Sequence, residues 1–177
     1  LRHDADAPAP RVCPAGGVVV AGADQQDFVD VCRGAAAALA FFSAHGGQLT
    51  DTISIEVTPR LPPGAGPSAV GCYIEQRRKA YILPYVSFKK SKTWFGVPIT
   101  RAMYRALAGH EAAHAIAACL FRVPHPTIQA KEYLAYVAMF SSMPAALRRK
   151  ALASMPVESF DSFARFTPLL YMFDPMR

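Results

Sequence analysis

The sequence of 177 residues lacks several features that would assign it to a protein class at once. No run of about 18 or more residues is apolar enough to predict a membrane-spanning helix. No internal repeat or low-complexity segment is present, so this length predicts one domain with a sizeable core. The net charge of +6 comes without a nucleic-acid-binding motif, and we therefore expect no nucleic-acid partner.

Cysteine is scarce, and its spacing argues against a thiolate zinc site. Cys13, Cys32, Cys72 and Cys119 form no C-x-x-C pair. An even number at wide spacing favours two disulfides, although four buried free thiols fit as well. Of the three possible pairings, Cys32–Cys119 with Cys13–Cys72 is our expectation, because Cys32 and Cys119 fall on helices predicted to share one sheet face.

The first residue, Leu1, is not a methionine. A removed signal peptide would explain this, as would a shortened chain. Together with the cysteines, it leads us to expect an exported protein, periplasmic or secreted.

The stretch around His110 has the pattern H-E-x-x-H, within a mostly apolar run from Ile99 to Phe121. On a helix, His110 and His114 leave the same face one turn apart, so both can bind one tetrahedral Zn²⁺. Glu111 then lies beside the metal, where a general base for a zinc-bound water must be. The alternative is a helix whose two histidines and glutamate are ordinary surface or core groups, but small uncharged neighbours favour a buried helix.

A catalytic zinc site needs a third protein ligand and an open fourth position. The extended pattern H-E-x-x-H-x-x-G-x-x-H is absent, since Ala117 and Leu120 stand where glycine and histidine are required. The remaining candidates for the third ligand are Glu132 and His125.

Helix geometry favours Glu132. If the motif helix ends near Phe121 and an antiparallel helix starts near Thr127, His114 and Glu132 lie about 10 Å and about 7.5 Å from the connection, hence nearly level. His125 lies in the connecting loop and would have to fold back over the helix end. We therefore predict His110, His114 and Glu132 as the metal ligands.

The H-E-x-x-H motif and Glu132, in Lys131-Glu132-Tyr133-Leu134-Ala135-Tyr136, resemble the gluzincin metallopeptidases, in which a glutamate on a following helix is the third zinc ligand. The resemblance covers about 30 residues well. It implies one Zn²⁺ per chain, a peptide or protein substrate, and hydrolysis by a metal-activated water with Glu111 as general base.

The chain departs from that family at Tyr136, where thermolysin-like members carry an aspartate that orients a zinc histidine. Tyr136 and Tyr171 are candidate hydrogen-bond donors to the transition state, although a structural role is the simpler interpretation of each. No recognisable oxyanion-stabilising motif follows. The alternative function is therefore a catalytically inactive, zinc-bearing binding or structural protein derived from a peptidase fold.

Hydrophobic periodicity predicts the order of elements along the chain. These are a strand at 18–21, a helix capped by Asp24 and ending near His45, a strand at 53–57, a hairpin with strands at 70–74 and 81–83, the motif helix with Pro98 suited to its first turn, the Glu132 helix, a short helix from Pro144 to Pro156, and a last helix kinked at Pro168. This order predicts an α+β fold, with a small mixed β-sheet packed against a backing helix and the motif helix, followed by the glutamate helix and C-terminal helices.

Residues 1–16 are expected to form an irregular arm and residues 17–177 a single zincin-like domain. The family resemblance implies that a substrate peptide pairs with the edge strand of the sheet, for which residues 68–75 are the best match. Trp94 and Phe95 are candidates for a lid or rim over the site, although ordinary packing of a loop is the simpler interpretation.

Overall fold

The fold is α+β, as the sequence predicts, in a computed structural model that describes residues 8–155. The predicted last helix, with Pro168 and Tyr171, and the predicted helix end at Pro156 lie outside the described residues. Within residues 8–155, no helix is long and apolar enough to cross a membrane. The described strands and helices are β1 (Arg11–Val12), β2 (Val18–Ala21), α1 (Gln25–Ala44), β3 (Ile53–Val57), β4 (Gly71–Ile74), β5 (Lys79–Ile82), α2 (Tyr85–Phe88), β6 (Thr93–Trp94), β7 (Val97–Pro98), α3 (Arg101–Leu120), α4 (Ile128–Ser142) and α5 (Ala145–Ala153).

The main sheet is mixed, in the order β1-β2-β3-β5-β4. β2, β3 and β5 run parallel, while β1 and β4 pair antiparallel with their neighbours at the two edges. The alternation in β3 buries Ile53, Ile55 and Val57 on one face of the sheet. The predicted hairpin is confirmed as β4 and β5, and β4 is an edge strand, as expected.

Helices α1 and α3 cover the buried face of the sheet and cross each other at Gly34. A Cβ atom at Gly34 would lie 2.3 Å from the carbonyl oxygen of Arg105 and 2.9 Å from the backbone nitrogen of Gly109. Only a residue without a side chain permits this backbone contact. The crossing therefore fixes α3 at the residue immediately before His110.

An ion-pair network holds the first turns of α3 against α1. Asp30 is fully buried and accepts hydrogen bonds from Arg105 at 2.8 Å and from Arg101 at 3.2 Å. Asp27 also accepts from Arg101, and from the backbone nitrogen of Tyr85 at 3.0 Å. The buried carboxylates are thus paired and hydrogen-bonded, which a buried charge requires.

The start of α3 differs from the prediction. Pro98 belongs to β7, which pairs with β6, and does not begin the helix. Thr100 is the N-cap, and its side chain accepts a hydrogen bond from the backbone nitrogen of Met103 at 3.3 Å. A side-chain oxygen that accepts from a free backbone donor in this way stabilises the start of a helix.

Trp94 ends β6, and Phe95 lies in the turn between β6 and β7. Phe95 is buried at 6% exposure, and the Trp94 ring lies edge-on to Phe88 with 5.5 Å between centroids. A role of the two residues as a lid or rim over the site stays a prediction.

The predicted disulfide pairing is wrong, since Cys13 is bonded to Cys32 while Cys72 and Cys119 are free. Residues Arg11–Val12, expected to be irregular, pair with β2 and bring Cys13 against α1. The Cα atoms of Cys13 and Cys32 are 5.4 Å apart, within the normal range for a disulfide. Cys72 lies in β4, at the opposite edge of the sheet from this arm.

Alkylation of the protein, unfolded without reduction, tests this assignment. Without reductant, we expect Cys72 and Cys119 to be modified after unfolding and Cys13 and Cys32 to be protected, as read by peptide mass spectrometry. Because the bond closes a loop with a sequence separation of 19 residues, Cys13→Ser should lower the free energy of unfolding by about 3 kcal/mol. Cys119→Ser is the matched control and should change it little. Modification of Cys13 without reductant would contradict the assignment.

Candidate metal centre

His110 lies in the most deeply buried part of α3, and His114 lies at the edge of this part, with a side chain that is 10% exposed. Residues 108–113 are all buried, and His110 is 5% exposed. The small side chains around the motif allow α1, α4 and the sheet to approach α3 closely. As predicted from the four-residue spacing, His110 and His114 lie on the same face, with their Nε2 atoms 3.1 Å apart.

Helix α4 brings Glu132 to these histidines. The Thr127 side chain caps α4 by accepting from the backbone nitrogen of Ala130 at 3.2 Å, so the helix starts where the sequence predicts. Glu132 Oε1 lies 3.2 Å from His114 Nε2, and Oε2 lies 3.4 Å from His110 Nε2. The structure therefore brings His110, His114 and Glu132 together.

The spacing of these donor atoms fits one tetrahedral metal ion. Zinc ligands about 2.1 Å from the ion, at tetrahedral angles, are about 3.4 Å from each other. The two histidine Nε2 atoms are 3.1 Å apart, and each has one Glu132 oxygen near it, Oε1 at 3.2 Å from His114 and Oε2 at 3.4 Å from His110. In the described part of the chain, one group of residues has donor atoms close enough together to hold a metal ion. It consists of His110, His114 and Glu132.

Unsatisfied polar atoms point to the same conclusion. Within residues 8–155, the buried side-chain atoms without a hydrogen-bond partner are His110 Nδ1, Glu111 Oε2 and Glu132 Oε2. Leaving such atoms unpaired destabilises a fold, so their concentration in one place indicates a missing partner. A divalent cation would be such a partner for the Glu132 carboxylate. His125, the alternative third ligand, is exposed in the loop between α3 and α4 and is not part of the group.

The protonation tendencies of two of the three ligands already match metal binding. Burial lowers the pKa of His110, which favours the neutral imidazole. Burial opposes ionisation of Glu132, but the two histidine rings beside its carboxylate outweigh this effect and lower the pKa of the carboxyl group. Burial also acts to lower the pKa of His114, but the Glu132 and Glu111 carboxylates outweigh it, so this pKa is raised.

Glu111 lies beside the three ligands, beneath the edge strand of the sheet. Its side chain is 4% exposed, and burial raises its pKa to about 8. A Cβ atom on Gly71 of β4 would lie 2.5 Å from Glu111 Oε1. Glycine at this position therefore leaves the space that the carboxylate occupies.

Sequence reasoning missed Gly71, although a signal was present. An isolated glycine within an alternating strand often marks a place where another group approaches the backbone closely. Gly71 lies between Val70 and Cys72, two of the alternating residues that predict this strand.

A salt bridge links the strand that covers Glu111 to the helix that carries Glu132. Lys131 Nζ lies 2.7 Å from Oε2 of Glu75, the residue that follows β4. The Glu75 side chain is 61% exposed, so the pair contributes little to stability. It does show that α4 and the end of β4 lie close together on the surface.

Tyr136, one turn after Glu132 on α4, packs against His110. The two ring centroids are 4.4 Å apart, with the planes inclined by 49°. Burial raises the pKa of the Tyr136 hydroxyl, and the Glu132 and Glu111 carboxylates add to this, so the hydroxyl stays protonated at neutral pH.

The chain belongs to the family of unknown function DUF6639, whose profile matches residues 18–177. No curated protein and no solved structure matches it.

Metal affinity should fall as the solution is acidified. A ligand histidine must be neutral to bind, so the raised pKa of His114 means that its proton competes with the ion. Glu111, whose pKa is about 8, should also release a proton when a cation binds beside it. We expect the affinity for Zn²⁺ to rise with pH between about pH 6 and pH 8, by up to about 10-fold per unit for each proton released.

Calorimetric titrations in buffers of different ionisation enthalpy count the released protons. In Glu111→Gln, the glutamine side chain cannot release a proton. The number of protons released on zinc binding should therefore fall by the contribution of Glu111, while the contribution of His114 remains. An affinity that is independent of pH, or that rises on acidification, would contradict this protonation scheme.

Proposed function

We propose that the protein is a zinc-dependent peptidase of the gluzincin type. The observation that carries the proposal is the convergence of His110, His114 and Glu132, whose donor atoms lie within 4.8 Å of one another, with the Glu111 carboxylate next to them. Two histidines and one carboxylate are a donor set of catalytic zinc sites that keep one position open. A purely structural zinc site is usually closed by a fourth protein ligand, and the described group contains three.

The chain's own residues supply binding and proton transfer. Bound zinc would act as a Lewis acid that polarises a carbonyl group and activates water at neutral pH. Glu111 accepts a proton from the attacking water and delivers it to the nitrogen of the leaving amine as the peptide bond breaks. A pKa near 8, raised by burial, suits a group that must both take up and release a proton near neutrality.

The free edge of β4 offers a binding surface for a peptide backbone. β4 is the last strand of the sheet and pairs only with β5 among the described strands. An extended peptide can add to such an edge through main-chain hydrogen bonds. Because Gly71 lies against Glu111, a peptide paired there would pass close to the general base. This supports a peptide or protein substrate, bound along residues 71–74.

A catalytically inactive, metal-bearing binding protein is the second candidate. It is favoured by the burial of Glu111, which is 4% exposed and has one carboxylate oxygen without a hydrogen-bond partner. A general base must reach the water that it activates. In this alternative the same metal group would stabilise the contact between α3 and α4.

We also propose that the protein works in an oxidising compartment, in a periplasm or outside the cell. The Cys13–Cys32 disulfide supports this location, because such bonds are rare in reducing compartments.

The Glu111→Gln variant distinguishes a zinc peptidase from an inactive metal-bearing binding protein. The zinc-loaded wild type should cleave peptides within unstructured proteins such as casein, with loss of activity in a chelator. Glu111→Gln should retain zinc and lose about 10²–10⁴-fold in rate, since the proton acceptor is gone. Glu56→Gln, in a surface pair with Lys79 on β5, is the control and should remain active. Full activity in Glu111→Gln would refute the mechanism, and a zinc-loaded but inactive wild type would favour the second candidate.

Gly71→Ala tests the placement of Glu111 without changing Glu111 itself. The new methyl group would overlap the carboxylate, which must move, and a displacement of about 1 Å can lower a catalytic rate by about 100-fold. We expect Gly71→Ala to bind zinc normally and to lose most activity. Gly66→Ala, where a Cβ atom meets no other atom within 4 Å, is the matched control. Equal activities in the two variants would show that this contact does not position Glu111.

A further inference from the structure

A ligand histidine normally has its second ring nitrogen hydrogen-bonded, which fixes the orientation of the ring and raises its basicity. His110 departs from this pattern. Its Nδ1 atom is buried and makes no hydrogen bond within residues 8–155. The described part of the chain therefore holds the His110 ring in another way.

Packing against neighbouring rings holds the His110 ring in place of a hydrogen bond to Nδ1. The Tyr136 ring lies 4.4 Å from the His110 ring, and the His114 ring lies 4.7 Å from it at 86°. Tyr136 is four residues after Glu132, so both side chains leave the same face of α4. Helix α4 thus contributes both Glu132, the third ligand, and the Tyr136 ring that contacts His110, the first ligand.

Tyr136 is itself held by an aromatic cluster. Phe95 lies edge-on to Tyr136 with 6.0 Å between centroids, and Phe140 lies 5.4 Å from Phe95 and 6.3 Å from Tyr136. The Ser154 hydroxyl donates to the carbonyl oxygen of Phe95, which fixes the turn that carries Phe95. A ring supported on this side cannot swing away from His110 without disturbing the turn between β6 and β7.

We propose that Tyr136 is a positioning residue of the metal centre, whose ring, rather than its hydroxyl group, holds His110 in its ligand orientation. The contact is one of packing and dispersion, so it fixes direction without making the imidazole more basic. The inference rests on the metal site of the proposed function and is independent of peptide cleavage.

Competition with a chromophoric chelator measures the zinc affinity of the wild type, Tyr136→Phe and Tyr136→Leu. Tyr136→Phe keeps the ring and should bind within about twofold of the wild type, while Tyr136→Leu should lose about 10- to 100-fold, the usual range when support of a ligand is removed. The absorption spectrum of the Co²⁺-loaded protein, which reports ligand geometry, should change in Tyr136→Leu alone.

Two controls separate positioning from general stability. Phe42→Leu removes a buried ring of α1 that contacts neither the His110 ring nor the Tyr136 ring, and should lower the melting temperature of the metal-free protein without loss of zinc affinity. Tyr133→Leu changes a tyrosine on the same helix as Tyr136 that is 72% exposed and should have no effect. The inference is overturned if Tyr136→Leu binds zinc as tightly as the wild type, if Tyr136→Phe loses as much as Tyr136→Leu, or if Phe42→Leu does so. A wild type that binds no zinc would refute the metal site itself.

Discussion

Burial of ionisable groups at the contact between α3 and α4 is the constraint on which the rest of the structure depends. His110, Glu111, His114 and Glu132 are largely removed from water, and three of their polar atoms have no hydrogen-bond partner in the described part of the chain. Such an arrangement is unfavourable unless a partner of opposite charge completes it. A divalent cation bound to His110, His114 and Glu132 would be such a partner.

The surrounding fold holds these groups in place by rigid contacts on several sides of α3. The Asp27 and Asp30 network fixes its first turns, the crossing at Gly34 fixes its middle, and α4 packs along its second half. The sheet then places the backbone of Gly71 over Glu111. Functional groups carried on packed helices and strands are positioned more accurately than groups on loops.

Features encoded by neighbouring residues could be predicted from the sequence. The alternation at Ile53–Val57, the hairpin, the Asp24 and Thr127 caps and the convergence of Glu132 on the histidines each follow from helix or strand geometry over short spans. The disulfide was predicted wrongly because it depends on how the N-terminal arm pairs with β2, a contact that no local pattern specifies. Gly71 and the ring contact of Tyr136 likewise arise between segments distant in sequence, from tertiary packing.

The zinc content of the purified wild type, Glu132→Ala and His125→Ala, measured by elemental analysis after reconstitution, tests the central claim most directly. The proposal predicts about one zinc ion per chain in the wild type and in His125→Ala, with zinc lost or much weakened in Glu132→Ala, because Glu132 on α4 converges on the two histidines and His125 in the loop does not. A wild type that takes up no zinc would contradict the metal site. Zinc that is retained in Glu132→Ala but lost in His125→Ala would contradict the assignment of Glu132 as the third ligand.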